Sequence, residues 1–150
     1  MSNTQPDRKF AFRLEMQSGV PVYRQIIDQV LGGTAAGTLS AGDQLPTVRQ
    51  VAVDLSINPN TVVRAYRELE IRGVLETQQG TGTFISRQKV KRDEVERQRG
   101  LTLLVNEFVS RAGAAGFTIE ELLEQLKDRT AVSPAVSPAV SQEDNGRKRR

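Results

Sequence analysis

The stretch Gly37–Ile85, GTLSAGDQLPTVRQVAVDLSINPNTVVRAYRELEIRGVLETQQGTGTFI, spells in unbroken order two short helices, a tight turn and a glycine-tipped hairpin. That order predicts a winged helix-turn-helix. The first helix begins after Pro46, where Thr47 can cap it, and Val48, Val51, Ala52 and Leu55 recur at i, i+3, i+4 and i+7 on one face. Ser56 and Ile57 make the turn. Asn58 is a good N-cap and Pro59 suits the first helical position, where a missing N–H costs nothing, so a second helix starts sharply and runs to about Gly73.

The second helix sorts its residues by angle. At about 100° per residue, Val62, Ala65, Tyr66 and Leu69 gather on one side, while Asn60, Arg64 and Arg67 project from the other at i, i+4 and i+7. The apolar side must pack inward, which leaves outside one amide and two guanidinium groups. These side chains have the shape for bidentate reading of adenine and guanine edges and for holding phosphate. The plainer alternative is a solvated helix face, with Arg64 and Arg67 paired to Glu68 or Glu70. Beyond Gly73, Val74–Gln79 and Thr83–Ser86 suit strands and flank Gly80-Thr81-Gly82, a tip that supplies positive φ angles. With no bulky side chain there, the backbone N–H groups and the hydroxyls of Thr81 and Thr83 can come close to a phosphate or enter a minor groove. Turn chemistry alone would also account for those residues.

The spacing Gly37-x-Leu39-x-x-Gly42-x-x-Leu45-Pro46-Thr47-x-Arg49, then Asn60-Thr61-Val62-x-x-Ala65-Tyr66-x-x-Leu69-x-x-x-Gly73, then Gly80-x-Gly82-Thr83-Phe84, resembles the DNA-binding domain of the GntR family of bacterial transcription regulators. The upstream run Ser18–Ile26, SGVPVYRQI, resembles that family's opening helix. The resemblance covers residues 18–86. It implies that Arg49 contacts DNA, that Thr47 holds a phosphate at its helix N-terminus, that Asn60, Thr61 and Arg64 face the bases, and that Gly80 approaches the minor groove. Arg67, Thr81 and Gly82 complete the expected DNA-binding set. Some relatives carry a basic residue where this chain has Asn60, which points to an operator in which an adenine is read.

Composition bounds the remaining possibilities. The chain has 150 residues and a net charge of +3, room for one small domain with an appendage and a mild preference for anionic partners. It has no cysteine and no histidine, so thiolate or imidazole metal sites, disulfides, cysteine nucleophiles and Ser-His triads are excluded. No spacing of carboxylates and serines assembles a catalytic constellation, so the expectation is a non-enzyme without cofactor or metal. The N-terminal MSNTQPDRKF lacks the apolar core of a signal peptide, and no segment has the apolar length of a membrane span. A cytoplasmic bacterial protein, on the nucleoid when bound to DNA, is expected.

Four regions follow: an N-terminal arm (1–17), the winged helix-turn-helix (18–86), a helical linker with dimerisation helices (87–129) and a disordered tail (130–150). Phe10-Ala-Phe-Arg-Leu14 alternates and could form a short strand or an arm that packs on a neighbour. Helix one, from about Val22 to Ala36, buries Val22, Tyr23, Ile26, Ile27, Val30 and Leu31. Arg87–Gly100 is charged and reads as an exposed helical linker. Leu101, Leu104, Val105, Phe108, Val109 and Ala112 then define an amphipathic helix ending near Gly113–Gly116. Thr118-x-x-Glu121 is a capping box, with Phe117 placed to staple against Leu122, for a last helix whose apolar face is Leu122, Leu123 and Leu126. Two such helices cannot enclose a core of their own, so Leu104, Phe108, Leu122, Leu123 and Leu126 are expected to bury their surface against a second copy. The tail repeats Ala-Val-Ser-Pro and ends in Arg147-Lys148-Arg149-Arg150, which could add non-specific attraction to DNA or simply be a solvated terminus.

The short C-terminal region resembles the YtrA subfamily, whose two-helix appendage mainly dimerises. That resemblance implies a homodimeric repressor of a two-fold operator, acting on its own operon, often one encoding an ABC transporter. The alternative is a winged-helix protein-protein adaptor, against which the basic and amide stripe weighs. The C-terminal helices show no pocket-forming segment for a small-molecule effector, although a cleft between subunits could hold one.

Overall fold

The computed structural model describes residues 10–88 and 93–131. Three helices, α1 (Val22–Ala36), α2 (Val48–Leu55) and α3 (Pro59–Ile71), precede an antiparallel hairpin of β1 (Leu75–Gln78) and β2 (Gly82–Ile85). Two further helices follow, α4 (Glu94–Ala114) and α5 (Ile119–Ala131). This is the expected winged helix-turn-helix with C-terminal helices.

Local chemistry sets each boundary. Thr47 Oγ1 accepts from the Gln50 N–H at 3.1 Å and opens α2, while Asn58 Oδ1 accepts from the Asn60 N–H at 2.9 Å and opens α3 with Pro59 behind it. The turn between them depends on Ser56, held at φ 53 and ψ 46, a left-handed conformation uncommon for a residue with a Cβ. Helix α3 stops at Ile71 with Arg72 as its C-cap, slightly before the expected end, and Gly73 then turns the chain at φ 73.

One core joins α1, α2, α3 and the hairpin. Ile26, Ile27 and Val30 of α1 meet Val51 and Ala52 of α2, Val62, Ala65, Tyr66 and Leu69 of α3, and Leu75 and Ile85 of the hairpin. Val22, Tyr23 and Leu31, expected to be buried, are only partly so. Inside this core the Tyr66 hydroxyl donates to the Pro46 carbonyl at 2.7 Å, tying α3 to the segment that leads into α2.

The wing has more backbone pairing than its two strands. The loop before α2 runs along the free edge of β2: the Gly42 N–H donates to the Ile85 carbonyl at 2.8 Å, the Ile85 N–H to the Asp43 carbonyl at 2.8 Å, and the Leu45 N–H to the Thr83 carbonyl at 2.9 Å. Gln44 pairs with Phe84 in the middle. Gln44 also donates its amide to the Thr81 carbonyl at 3.1 Å, bracing the tip, and Gly82 leaves the space for it: a Cβ there would stand 2.5 Å from Gln44 Nε2.

The described part of the N-terminal arm is not a strand, and it packs on its own chain. Phe12 is buried in the chain's own core, edge-on to Phe10 at 5.0 Å between centroids. Two glutamine side chains of α1 replace a strand partner. Gln29 accepts from the Arg13 N–H at 2.9 Å and donates to the Arg13 carbonyl at 2.7 Å, and Gln25 does the same for Glu15 at 2.9 and 3.0 Å.

The C-terminal region differs from expectation in its helix boundaries. The last part of the charged linker, from Glu94 to Gly100, and the amphipathic helix are a single helix, α4: Asp93 caps its start with Glu94 and Glu96 in the first turn, and an exposed mid-helix Gly100 does not interrupt it. The capping box forms as expected: the Thr118 N–H donates to Glu121 Oε2 at 2.7 Å and the Glu121 N–H to Thr118 Oγ1 at 3.3 Å. Helix α5 runs to Ala131, past the expected start of the tail. The Ser-Pro repeat from residue 132 onward and the basic end lie outside the described residues, as do residues 1–9 and 89–92.

Two variants test this packing. Tyr66→Phe leaves the buried Pro46 carbonyl without its donor and should cost about 1–2 kcal/mol in urea unfolding at neutral pH. Burial pushes the Tyr66 phenol up, so the fold holds its neutral form; that contribution is complete below the unfolded phenol's value of about 10 and is lost as pH rises beyond it. The gap between wild type and Tyr66→Phe should therefore narrow above about pH 10. Gly82→Ala, at φ 139 and against Gln44, should lower stability by about 1–3 kcal/mol in thermal unfolding.

Candidate nucleic-acid interface

Helix α3 supplies the centre of the site. Its buried side holds Val62, Ala65, Tyr66 and Leu69, each 3% exposed or less, which leaves the helix no freedom to roll. Asn60, Arg64 and Arg67 consequently stand exposed on the opposite side. Thr61 lies at the margin and is half-buried, its N–H closing the first turn onto the Asn58 carbonyl at 3.0 Å.

Charge is left unneutralised on this face. Glu68 pairs with Arg72, and Glu70 accepts from Thr77 on β1, so both acids of α3 are occupied elsewhere. Among the described residues no ion pair involves Arg49, Arg64 or Arg67, whereas Arg24 and Arg111 do find carboxylates, Asp28 at 3.1 Å and Glu107 at 2.8 Å. The solvated-pair alternative of the sequence is thus not what these arginines do. The two exposed guanidinium groups of α3 and the Asn60 amide on the same side can take phosphate oxygens and the edges of guanine and adenine.

The flanks come from α2 and the wing. Thr47 is exposed at the start of α2, the helix end that favours an anion, with its Oγ1 engaged as the cap; Arg49 is exposed in the first turn. Gln50, next to it, donates to Asp54 at 2.6 Å. At the wing, Gly80 and Thr81 are exposed, and the Thr81 N–H closes the tip onto the Gln78 carbonyl at 3.0 Å. Gly82 is different: it is half-buried as the strand partner of Gln78, with Gln44 over it.

Three residues of this surface are absent from the sequence-based set. Gln44 braces the wing tip, and no periodicity marks it. Tyr23 of α1, assigned to the buried stripe, carries the Arg64 guanidinium stacked over its ring at 3.8 Å from the centroid. Val63 is 39% exposed on the outward side of α3, next to Asn60 and Arg67 by helical angle. The available signal was its position off the apolar face.

The expected dimerisation residues are grouped on the last two helices. Leu104, Phe108, Leu123 and Leu126 are exposed to between 46 and 64%, and Leu122 is half-buried. Ala112 is the one buried residue of α4. None of the described helices is long and apolar enough to cross a membrane.

Comparison with known proteins agrees with this geometry. The profile of the family "Bacterial regulatory proteins, gntR family" matches residues 22–85, from the start of α1 to the end of the wing. The HTH-type transcriptional regulator YhcF of Bacillus subtilis is 41% identical over 116 residues, 77% of this chain and 95% of that protein. The HTH-type transcriptional repressor YtrA of the same organism is 37% identical over 122 residues, 79% of this chain and 92% of that protein. Among solved structures, one titled as a transcriptional antiterminator from Listeria monocytogenes superposes with a TM-score of 0.60 at 29% identity, over 80% of this chain and 90% of that one. With nearly the full length of two regulators matched and the winged helix in place, the chain belongs to the gntR family of bacterial regulatory proteins and is a DNA-binding transcription regulator.

Proposed function

We propose that the chain works in the bacterial cytoplasm as a homodimeric repressor of a two-fold symmetric operator, its own operon being the first candidate target. The observation that carries this reading is the exposed face of α3, where Asn60, Arg64 and Arg67 stand together without a carboxylate partner among the described residues. Thr47 and Arg49 on one flank and Gly80 and Thr81 on the other are assigned mainly to phosphate and groove contacts, with α3 in the major groove. Gly82 shapes the wing rather than touching DNA. The work of such a surface is binding and not catalysis.

The homodimer rests on α4 and α5. These helices pack on each other yet leave Leu104, Phe108, Leu123 and Leu126 about half or more exposed, a patch that a second copy can cover with the same residues. Two recognition helices then present themselves about one turn of DNA apart, roughly 34 Å, which makes the operator a near-palindrome. The name of the relative YtrA supports repression as the outcome.

Enrichment from a random duplex pool by the full-length protein should yield two inverted half-sites, and a footprint on the DNA upstream of its own gene should contain them. Against the enriched duplex, Arg64→Ala should lower affinity by about 1–3 kcal/mol, roughly tenfold or more, and relax preference at one base pair per half-site. Arg49→Ala should weaken specific and scrambled duplexes about equally, as a lost phosphate contact does; a loss confined to the specific duplex would make Arg49 a base contact. Unchanged anisotropy curves for both variants would contradict the interface.

Replacing Leu104 and Phe108 together by glutamate should give a folded monomer in sedimentation velocity that retains only weak half-site binding. A dimer in that experiment would move the interface to the N-terminal arm or to α1.

A further inference from the structure

We infer that Tyr23 is a positioning residue for operator recognition, its ring holding the Arg64 guanidinium ready for the base edge that Arg64 reads. The inference rests on the reading of Arg64 as a DNA-facing residue and adds what sets that side chain's direction.

Tyr23 lies in the first turn of α1, half-buried, three and four positions before Ile26 and Ile27, which are fully buried in the core. Its backbone is therefore anchored by the same packing that joins α1 to α3, and its ring is a fixed platform beside the recognition helix. Arg64 extends from α3 over that platform, its guanidinium carbon 3.8 Å from the ring centroid, which is the distance of direct face contact.

Stacking and ion pairing restrain an arginine differently. A carboxylate would occupy the N–H donors and cancel the charge, both of which DNA recognition needs. An aromatic face contacts the guanidinium plane and leaves all five N–H groups free around its edge, with the positive charge intact. An unrestrained exposed arginine loses rotamer freedom on binding; one already stacked loses less, so affinity and base preference both gain. Arg67 on the same face has no aromatic or acidic partner among the described contacts, which marks Arg64 as the pre-oriented member of the pair.

The test uses full-length protein and the duplex that wild type enriches from a random pool, together with its single-base-pair variants, read by fluorescence anisotropy. Tyr23→Phe keeps the ring and should bind within about twofold of wild type, whereas Tyr23→Leu should lose about three- to thirtyfold and relax preference at the base pair that Arg64→Ala relaxes. In an Arg64→Ala background, Tyr23→Leu should cause no further loss. The Arg64 Nε–H resonance should move downfield in Tyr23→Leu, free of the ring current, and stay in place in Tyr23→Phe. Should leucine impair folding by thermal melt, Tyr23→Met takes its place.

Wild-type affinity in Tyr23→Leu, with Arg64→Ala weakened, would overturn the inference while leaving the DNA-facing reading of Arg64 standing. Equal losses in Tyr23→Phe and Tyr23→Leu would assign the effect to the hydroxyl, as a direct contact, and overturn it as well, as would additive losses in the double variant. Full binding by Arg64→Ala would overturn both the reading and the inference.

Discussion

The burial of one face of α3 is the constraint from which the rest of the structure follows. Val62, Ala65, Tyr66 and Leu69 are sealed against α1, α2 and the base of the wing, and the Tyr66 hydroxyl is bonded to a carbonyl in the segment leading into α2. A helix held at four successive inward positions cannot rotate about its axis, because a shift of one residue would turn each buried side chain by about 100° toward water. Asn60, Arg64 and Arg67 are thereby fixed outward by residues buried in the core. Precision on the side proposed to face DNA is a consequence of apolar packing on the other.

The same logic extends to the flanks. The wing is short, and two four-residue strands would be marginal alone. Its third partner, the segment 42–45, lies on the free edge of β2 and passes directly into Pro46 and the start of α2. The wing and the N-terminus of α2 are thus parts of one hydrogen-bonded unit, so Thr47 and Arg49 keep a set relation to the hairpin. Gln44 completes it by holding the carbonyl of Thr81 at the tip. On the far side, the glutamines of α1 tie down the N-terminal arm and bring Phe12 into the core, leaving α1 firmly seated with Tyr23 at its outer edge.

How much of this could be read from sequence depends on the range of the interaction. Helix starts were legible because Thr47, Asn58-Pro59 and Thr118-x-x-Glu121 act within a few residues of themselves, and the inward and outward faces of α3 were legible because periodicity is local. Contacts across the fold were not. Gln44 sits in a loop whose pairing with Phe84 is a product of tertiary placement, and the Tyr23–Arg64 stack joins two helices whose sequences contain no sign of each other. Periodicity places Tyr23 in the core because a half-buried aromatic and a buried one have the same helical phase. The glutamines that hold the arm look like ordinary polar residues on an exposed helix face. Continuity of α4 through Gly100 is hidden by composition, since a charged run that reads as a helical linker gives way to apolar periodicity only at Leu101, while Asp93 and the acids of the first turn favour a start at Glu94.

The most direct test is to map the DNA-facing surface residue by residue, by titrating isotopically labelled full-length protein with the enriched duplex and following backbone amide chemical shifts. The largest perturbations should fall at Thr47, Arg49, Asn60, Arg64, Arg67, Gly80 and Thr81, with the resonances of Val62, Ala65, Tyr66 and Leu69 moving less, as expected if the helix meets DNA without rolling. Perturbations concentrated on α4 and α5, or on the Arg24 and Asp28 side of α1, with Asn60–Arg67 unmoved, would contradict the assignment of α3 as the recognition helix.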